Sequence, residues 1–163
     1  MRCFRLIHYN DISSKDKELS TNYILDKINK DNIFKIYVID FLNINNNTID
    51  IYNKIKNKKI LLINKIDMLD KSINKKNIIN NIRTIYNINN ILSISTLNDK
   101  NINMLLNYLN NNNINQCYIL GPTNSGKSTL INKLCNNNNL TISNKRNTTL
   151  EFINITLDNI NII

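Results

Sequence analysis

The 163 residues lack the features of membrane-spanning, secreted and disulfide-stabilised proteins. No apolar run reaches the ~18–20 residues that a membrane-spanning helix needs, so no membrane span is predicted. Residues 1–5 carry charge with no apolar stretch behind them, which predicts that no signal peptide is present. The three cysteines, Cys3, Cys117 and Cys135, are too widely spaced for a disulfide framework. We expect Cys117 and Cys135 to be small buried thiols in a reducing compartment.

Glycine, proline and alanine are also scarce, with two glycines, one proline and no alanine, whereas asparagine, isoleucine and lysine dominate. An extremely AT-rich gene produces this composition, because the codons of Asn, Ile and Lys are rich in A and T. The net charge of +9 can therefore be interpreted in two ways. It indicates a polyanionic partner such as RNA, or it reflects lysine enrichment spread over a solvated surface.

Strand-like and helix-like segments alternate along the chain. Short runs of β-branched and aromatic residues with little polar alternation predict strands buried on both faces at 34–39, 59–63, 91–94 and 117–120. Helical length and periodicity are found near 72–86, 100–109 and 127–135. This alternation predicts one α/β domain with a P-loop NTPase-like fold, a mainly parallel sheet with helices on both faces.

Asparagine runs at 45–47, 110–113 and 136–139 predict loops, because Asn tolerates turns and left-handed backbone angles. Residues 150–157 and 159–163 alternate more regularly and predict a hairpin. We see no internal repeat and no linker.

Both glycines and the only proline fall within residues 121–126, and the segment continues to fit G-x-x-x-x-G-K-S/T in full. It follows a predicted strand and opens a predicted helix, as a phosphate-binding loop requires. Backbone N–H groups would wrap the phosphates, Lys127 would place its charge on the β- and γ-phosphates, and Ser128 would offer its hydroxyl to Mg²⁺. The predicted phosphate-site residues are Gly121, Asn124, Ser125, Gly126, Lys127, Ser128 and Thr129.

A P-loop alone does not separate ATP from GTP, but Asn64, Lys65 and Asp67 fit the N-K-x-D motif that reads guanine. The Asp67 carboxylate can accept hydrogen bonds from N1 and the 2-amino group of guanine, and adenine would leave it unpaired. Asn64 would bond the purine N7 and brace the loop, while the Lys65 stem packs along the base. This motif disfavours a P-loop ATPase.

The motifs run in an unusual order, because N-K-x-D precedes the phosphate loop. Between them, Ser95-Thr96-Leu97 followed by Asn101 and Ile102 resembles the S-A-K-x-x-x-N-I stretch that closes over the base in GTPases. The chain therefore resembles the circularly permuted GTPases, and most closely the YqeH group of bacterial-type ribosome-assembly GTPases. The resemblance implies that a backbone N–H near Thr96 meets the guanine O6, and Leu97 stands in place of the usual lysine.

Three further stretches resemble that group. Residues 2–10 are similar to the end of its zinc finger, residues 38–40 to its V-V-D strand end, and residues 140–157 to its switch I and following strand. Only Cys3 remains of four zinc-binding cysteines, so no zinc is expected. We interpret residues 1–20 as the remnant of a zinc-finger tail. We interpret residues 21–163 as a permuted G domain that is incomplete, without the D-x-P-G motif and the C-terminal region.

The resemblance also implies roles for individual residues. Thr149 stands where the family cages Mg²⁺ and the γ-phosphate, so Ser128 and Thr149 are the expected Mg²⁺ ligands and Lys127 and Thr149 the expected catalytic residues. Asn124 occupies the position of a K⁺ ligand in related GTPases. Whether it binds K⁺ or is one more asparagine in an Asn-rich chain stays open.

The function implied is GTP binding, with hydrolysis to GDP and phosphate when the domain is complete, in assembly of a bacterial-type small ribosomal subunit. Contacts with ribosomal RNA or with the small ribosomal subunit would come from parts outside this chain. We expect a soluble protein, in a mitochondrion or plastid if the source is a eukaryote and cytoplasmic otherwise. The alternative is a non-catalytic GTP/GDP-binding module or truncated remnant, and little turnover is expected from these residues alone.

The assignment of Asp67 predicts a change of base preference. Asp67→Asn replaces an acceptor by a donor that faces the donors of guanine, which should weaken GTP binding by about tenfold or more. Xanthosine triphosphate carries a carbonyl at C2 and should gain relative to GTP. Competition titrations with the two nucleotides measure this preference, and an Asp67→Asn protein that still prefers GTP would show that the base-reading loop is assigned wrongly.

Overall fold

The computed structural model describes the backbone of residues 14–137, 141–145 and 152–156, and the side chains of residues 21–134. In chain order its elements are α1 (Ser14–Asn29), β1 (Phe34–Asp40), α2 (Asn46–Lys54), β2 (Lys59–Asn64), α3 (Lys75–Tyr86), β3 (Ile91–Ser93), α4 (Asp99–Asn111), β4 (Gln116–Leu120), α5 (Lys127–Asn137), β5 (Thr141–Lys145) and β6 (Phe152–Thr156). Short 3-10 turns, Phe41–Asn43 and Ile66–Met68, follow β1 and β2.

The strands form one sheet in the order β3-β2-β1-β4-β6-β5. The pairs β1–β2, β2–β3 and β1–β4 are parallel, whereas β6 pairs antiparallel with both β4 and β5. The predicted mainly parallel sheet is confirmed. From β1 the chain adds β2 and β3 on one side and then returns to place β4 on the other side. This reversal of strand order creates a crevice between β1 and β4 at the carboxyl ends of the strands, where ligands bind in open α/β sheets.

Alternating strand residues build a core on each face of the sheet. Tyr37, Ile39 and Leu61 pack on the face covered by α1, α2 and α3. Val38 and Leu62 pack on the opposite face, which α4 and α5 cover. All seven residues of β1 are buried, because this strand has a neighbour on each side and helices above and below. The prediction of helices on both faces is confirmed.

The prediction that asparagine runs form loops is wrong for most of their described residues, and residues 138 and 139 lie outside the described part of the chain. Asn45 caps α2 through a reciprocal box, in which its side chain accepts from Thr48 N at 3.1 Å and its own N–H donates to Thr48 Oγ1 at 3.1 Å. Residues 46 and 47 are the first of α2, residues 110 and 111 end α4, and residues 136 and 137 end α5. Asparagine is a strong capping residue, and packing of an apolar helix face outweighs its weak interior propensity. Helices α1 and α2 were not predicted from the sequence.

The described residues include part of the hairpin that was predicted at residues 150–163. β6 lies within the predicted strand at 150–157, but its partners are β4 and β5, and β5 was not predicted. Residues 157–163, with the second strand of the predicted hairpin, lie outside the described residues. So do residues 1–13, which carry Cys3. Helix α1 runs through residue 20, where the zinc-finger remnant is predicted to end.

Burial of the predicted thiol at Cys117 is confirmed, since 1% of the residue is exposed, and burial raises the pKa of the thiol to about 12. The side chain of Cys135 lies outside the described residues. Within the described ranges, no helix is both long and apolar enough to cross a membrane.

Two buried tyrosines give opposite expectations for the loss of a hydroxyl. Tyr37 is fully buried and its hydroxyl has no hydrogen-bond partner among the described residues, whereas Tyr118 donates to Asp31 Oδ2 at 2.6 Å. Tyr37→Phe should leave the free energy of unfolding unchanged or raise it by up to ~1 kcal/mol, and Tyr118→Phe should lower it by ~1 kcal/mol. Urea unfolding followed by circular dichroism measures both variants. Equal destabilisation by the two substitutions would contradict the assignment.

Candidate functional site

The predicted motifs meet at one edge of the sheet, because the carboxyl ends of parallel strands lie side by side. Asp40 ends β1, Asn64 ends β2 and residues 65–68 follow it, residues 95–97 follow β3 and residues 121–126 follow β4. Asn64 and Ser125 are 61 residues apart in the chain and are joined by a hydrogen bond. The structure thus brings together the base-reading and phosphate-binding motifs.

Both glycines of the phosphate loop are required by their surroundings. Gly121 has φ +151° and a Cβ there would collide with the carbonyl oxygen of Val38. Gly126 has φ +90° and a Cβ there would collide with the side-chain amide of Asn64. Asn124, between them, has the left-handed angle φ +62°, which Asn tolerates better than most residues. The chain has therefore kept glycine where no side chain fits.

The phosphate loop leads directly into α5. The carbonyl of Gly126 accepts from Leu130 N at 2.9 Å, so the helix begins at the end of the loop and points its positive end toward it. Lys127 is 6% exposed, and its Nζ donates to the Pro122 carbonyl at 2.7 Å. The helix N-terminus and the Lys127 charge together favour an anion at this loop.

Asn64 joins three loops through one side chain. It is fully buried, its Nδ2 donates to the Ser125 carbonyl at 3.0 Å, and its Oδ1 accepts from Thr96 N at 3.3 Å. Because both polar ends have partners, the buried amide costs little to desolvate. This contact matches the expectation that Asn64 braces the loop. The expected bond to a purine N7 stays a prediction.

Lys65 forms a second link between the loops. It has φ +60°, and its Nζ donates to Asp40 Oδ2 at 2.7 Å and to the Asn124 carbonyl at 2.9 Å. From the sequence, only the aliphatic stem of Lys65 was expected to contribute, by packing along the base. The role of Asp40 was missed, although a carboxylate that ends an apolar strand of a parallel sheet is a signal for a site residue.

Asp67 sits on the 3-10 turn that follows Lys65, and its side chain is exposed. No side chain pairs with its carboxylate in the part of the chain whose side chains are described. Ile66 anchors this turn to the domain. Its side chain is buried, and its N–H donates to the Ile94 carbonyl at 3.2 Å. The structure therefore presents a carboxylate with free acceptor capacity on an anchored turn, as recognition of two ligand donors requires.

The stretch after β3 is held by its own asparagine. Ser95 N donates to Asn101 Oδ1 at 2.8 Å, and Leu97 N donates to Ser95 Oγ at 3.2 Å. Ser95 and Thr96 are buried, whereas 78% of Leu97 is exposed. The N–H of Thr96, expected to meet the guanine O6, already donates to Asn64 Oδ1, so a bound base would share it.

The described residues include only some of the predicted metal ligands. Ser128 and Thr129 are exposed on the first turn of α5, and a hydroxyl oxygen there suits Mg²⁺, which keeps several waters and binds through substrate phosphates. Thr149, the second expected ligand, lies outside the described residues. Across the described residues, no three His, Cys, Asp or Glu side chains cluster as a metal site. The side chain of Asn124, the expected K⁺ ligand, is exposed.

The comparison with protein families agrees with the geometry. Residues 17–151 match the sequence profile of the family described as RsgA GTPase. The matched region contains the base-reading motif, the stretch after β3 and the phosphate loop. No curated protein gives a significant match to the chain.

The contact between Gly126 and Asn64 predicts the effect of a single methyl group. Gly126→Ala should push the Asn64 amide away from the Ser125 carbonyl and weaken GDP binding by at least about tenfold, because strained backbone and a lost buried hydrogen bond add up. Thr123→Ala changes an exposed residue of the same loop and should stay within about twofold of the wild type. Calorimetric titration with GDP and Mg²⁺ measures both; similar affinities for the two variants would contradict the prediction.

Proposed function

Because the chain belongs to the RsgA GTPase family, we propose that the loops at the carboxyl edge of its sheet bind GTP and GDP with Mg²⁺. We propose further that the domain, when complete, hydrolyses GTP to GDP and phosphate. One observation carries the proposal: consecutive residues of the base-reading loop, Asn64 and Lys65, hold consecutive carbonyls of the phosphate loop, those of Ser125 and Asn124. The two loops are therefore assembled as one site.

The base-reading loop and the stretch after β3 would select guanine. Asp67 offers an exposed carboxylate to N1–H and the 2-amino group, and adenine supplies no such pair of donors. The Thr96 N–H lies beside Asn64 Oδ1 and can be shared with the guanine O6. Leu97, with most of its surface exposed, replaces a charged stem by an apolar one over the base.

The phosphate end supplies charge and oriented donors. Loop N–H groups and the N-terminus of α5 favour the diphosphate, and Lys127 can exchange the Pro122 carbonyl for a phosphate oxygen. Ser128 and Thr149 would hold Mg²⁺, which neutralises charge on the β- and γ-phosphate oxygens when bound. Water attacks the γ-phosphorus while its bond to the β–γ bridging oxygen breaks. The protein positions the groups and stabilises charge without a protein nucleophile.

The cellular role follows from the likeness to the YqeH group. We propose assembly of a bacterial-type small ribosomal subunit, with ribosomal RNA as the partner. The contacts with ribosomal RNA or the small subunit would come from parts outside these residues. K⁺ binding at Asn124 and an organellar location in a eukaryotic source belong to the same proposal.

A second candidate is a GTP/GDP-binding module without turnover. Its support is the absence of a D-x-P-G stretch from the 163 residues, whose two glycines both lie in the phosphate loop. In GTPases of this kind that stretch holds Mg²⁺ through water and contacts the γ-phosphate. Each such preorganised contact is worth about 2.7–4 kcal/mol of the barrier.

Binding is tested by comparing two lysines of α5. Lys127→Ala should reduce GDP affinity by at least about a hundredfold, because charge-assisted bonds to the phosphates are lost. Lys133→Ala removes a lysine whose pair with Asp99 is exposed, and it should change GDP affinity by less than about twofold. Calorimetric titration with GDP–Mg²⁺ decides. Equal losses in both variants would place the nucleotide elsewhere.

Phosphate release under multiple turnover separates the two candidates. For residues 1–163 we expect GDP and GTP affinities within about threefold of each other and release near background, because these residues contain no D-x-P-G stretch to contact the γ-phosphate. Release well above background that Lys127→Ala removes would support the hydrolase without the extra stretch and overturn this expectation. Binding without release supports the module for these residues.

A further inference from the structure

The buried carboxylate of Asp40 pairs with Lys65 at the candidate nucleotide site and has no role in the function so far described. Asp40 accepts from Lys65 Nζ at 2.7 Å through Oδ2 and from Leu42 N at 3.0 Å through Oδ1. We propose that Asp40 is a positioning residue for nucleotide binding. It acts through Lys65, which it holds so that the base-reading and phosphate loops keep one fixed arrangement. This inference rests on the proposed nucleotide site.

The position of Asp40 follows from the strand order. β1 lies between β2, which leads into the base-reading loop, and β4, which leads into the phosphate loop. Asp40 is the last residue of β1 and pairs in register with Asn64, the last residue of β2. A side chain at the end of this central strand is thus adjacent to both loops, and a lysine that follows β2 can contact it and the phosphate loop together.

The surroundings of the Asp40–Lys65 and Asp99–Lys133 ion pairs differ sharply. The side chain of Asp40 is 8% exposed and that of Lys65 is 34% exposed. The Asp99–Lys133 pair has nearly the same length, 2.8 Å, but its side chains are 67% and 36% exposed. A buried carboxylate needs its partner, whereas an exposed pair contributes little. Asp40 therefore constrains Lys65 more strongly than Asp99 constrains Lys133.

Holding Lys65 in place affects both the phosphate loop and the base-reading loop. On the phosphate side, its Nζ reaches the Asn124 carbonyl, next to the Ser125 carbonyl that Asn64 holds. On the base side, Lys65 starts the 3-10 turn that carries Asp67, and its own backbone is left-handed. Releasing the ammonium frees the start of this turn, so the Asp67 carboxylate loses alignment. Such preorganisation lowers the entropy lost on binding.

The proposal predicts a loss of affinity together with a loss of base discrimination. Asp40→Asn keeps the acceptor for Leu42 N and removes the charge that holds Lys65. GDP binding should weaken by about tenfold, the effect of one charge-assisted hydrogen bond. Inosine diphosphate lacks the 2-amino group that Asp67 would bind. The preference for GDP over inosine diphosphate should therefore shrink by about threefold or more.

A matched control is available on the neighbouring loop. Asp70 Oδ1 accepts from Ser72 N at 2.8 Å, the same two-residue turn that Asp40 makes with Leu42, but Asp70 is exposed and has no lysine partner in the described part of the chain. Asp70→Asn makes the same chemical change and alters the net charge equally. It should leave GDP affinity and the preference over inosine diphosphate within about twofold of the wild type.

The experiment is a double-mutant cycle of Asp40→Asn and Lys65→Met, with both dissociation constants measured by calorimetry and folding by circular dichroism. Because Asp40 acts through Lys65, the double variant should bind GDP no more weakly than the weaker single variant. The double variant also guards against misfolding, since it leaves no unpaired charge. It should fold and still bind GDP at least about fivefold more weakly than the wild type.

Three outcomes would overturn the proposal. The first is Asp40→Asn binding GDP within twofold of the wild type with unchanged base preference. The second is a further loss when Asp40→Asn is added to Lys65→Met. The third is a folded double variant with wild-type affinity. If the wild-type protein does not bind GDP at all, the proposed function fails as well, so the two failures are told apart by the wild-type titration.

Discussion

The hydrogen bonds of the buried Asn64 side chain are the constraint on which the rest of the site depends. The carboxamide oxygen accepts a hydrogen bond from Thr96 N, in the stretch after β3, and the carboxamide nitrogen donates to the Ser125 carbonyl of the phosphate loop. A buried amide with one end unpaired would cost ~1–3 kcal/mol, so both loops must approach closely enough to satisfy it. Gly126 has to be glycine because the amide fills the space where a Cβ would stand. The two motifs therefore constrain each other.

The sheet explains why the order of motifs along the chain does not affect the geometry of the site. Every parallel strand delivers its following loop to the same edge, and spatial neighbours are set by the strand order β3-β2-β1-β4. β1 stands between the strands that carry the two recognition loops, which makes its last residue, Asp40, a link between them. A permuted chain retains such links as long as it retains the strand order, because contacts depend on space and not on position in the sequence.

Asparagine takes over structural tasks that other residues perform in chains of more even composition. Of the five non-glycine residues with positive φ in the described part of the chain, four are asparagines, Asn57, Asn87, Asn113 and Asn124. This residue is the next best after glycine in left-handed conformation. Its short side chain also caps helices, as Asn45, Asn74 and Asn98 do at the starts of α2, α3 and α4. Asparagine thus serves at turns and caps, whereas the surroundings of Gly121 and Gly126 leave no room for a side chain.

The sequence by itself determined what local spacing and backbone chemistry dictate. The strand and helix periods gave the α/β class, and the glycine positions gave the phosphate loop, because close approach and positive φ leave glycine little substitute. Tertiary structure decided the side-chain partners. Lys65 meets Asp40 and the Asn124 carbonyl, and the Thr96 N–H meets Asn64, only because β1, β2, β3 and β4 become neighbours. It also decided that residues 46 and 47 are helical, since burial of Ile49 and Tyr52 outweighs the turn preference of asparagine.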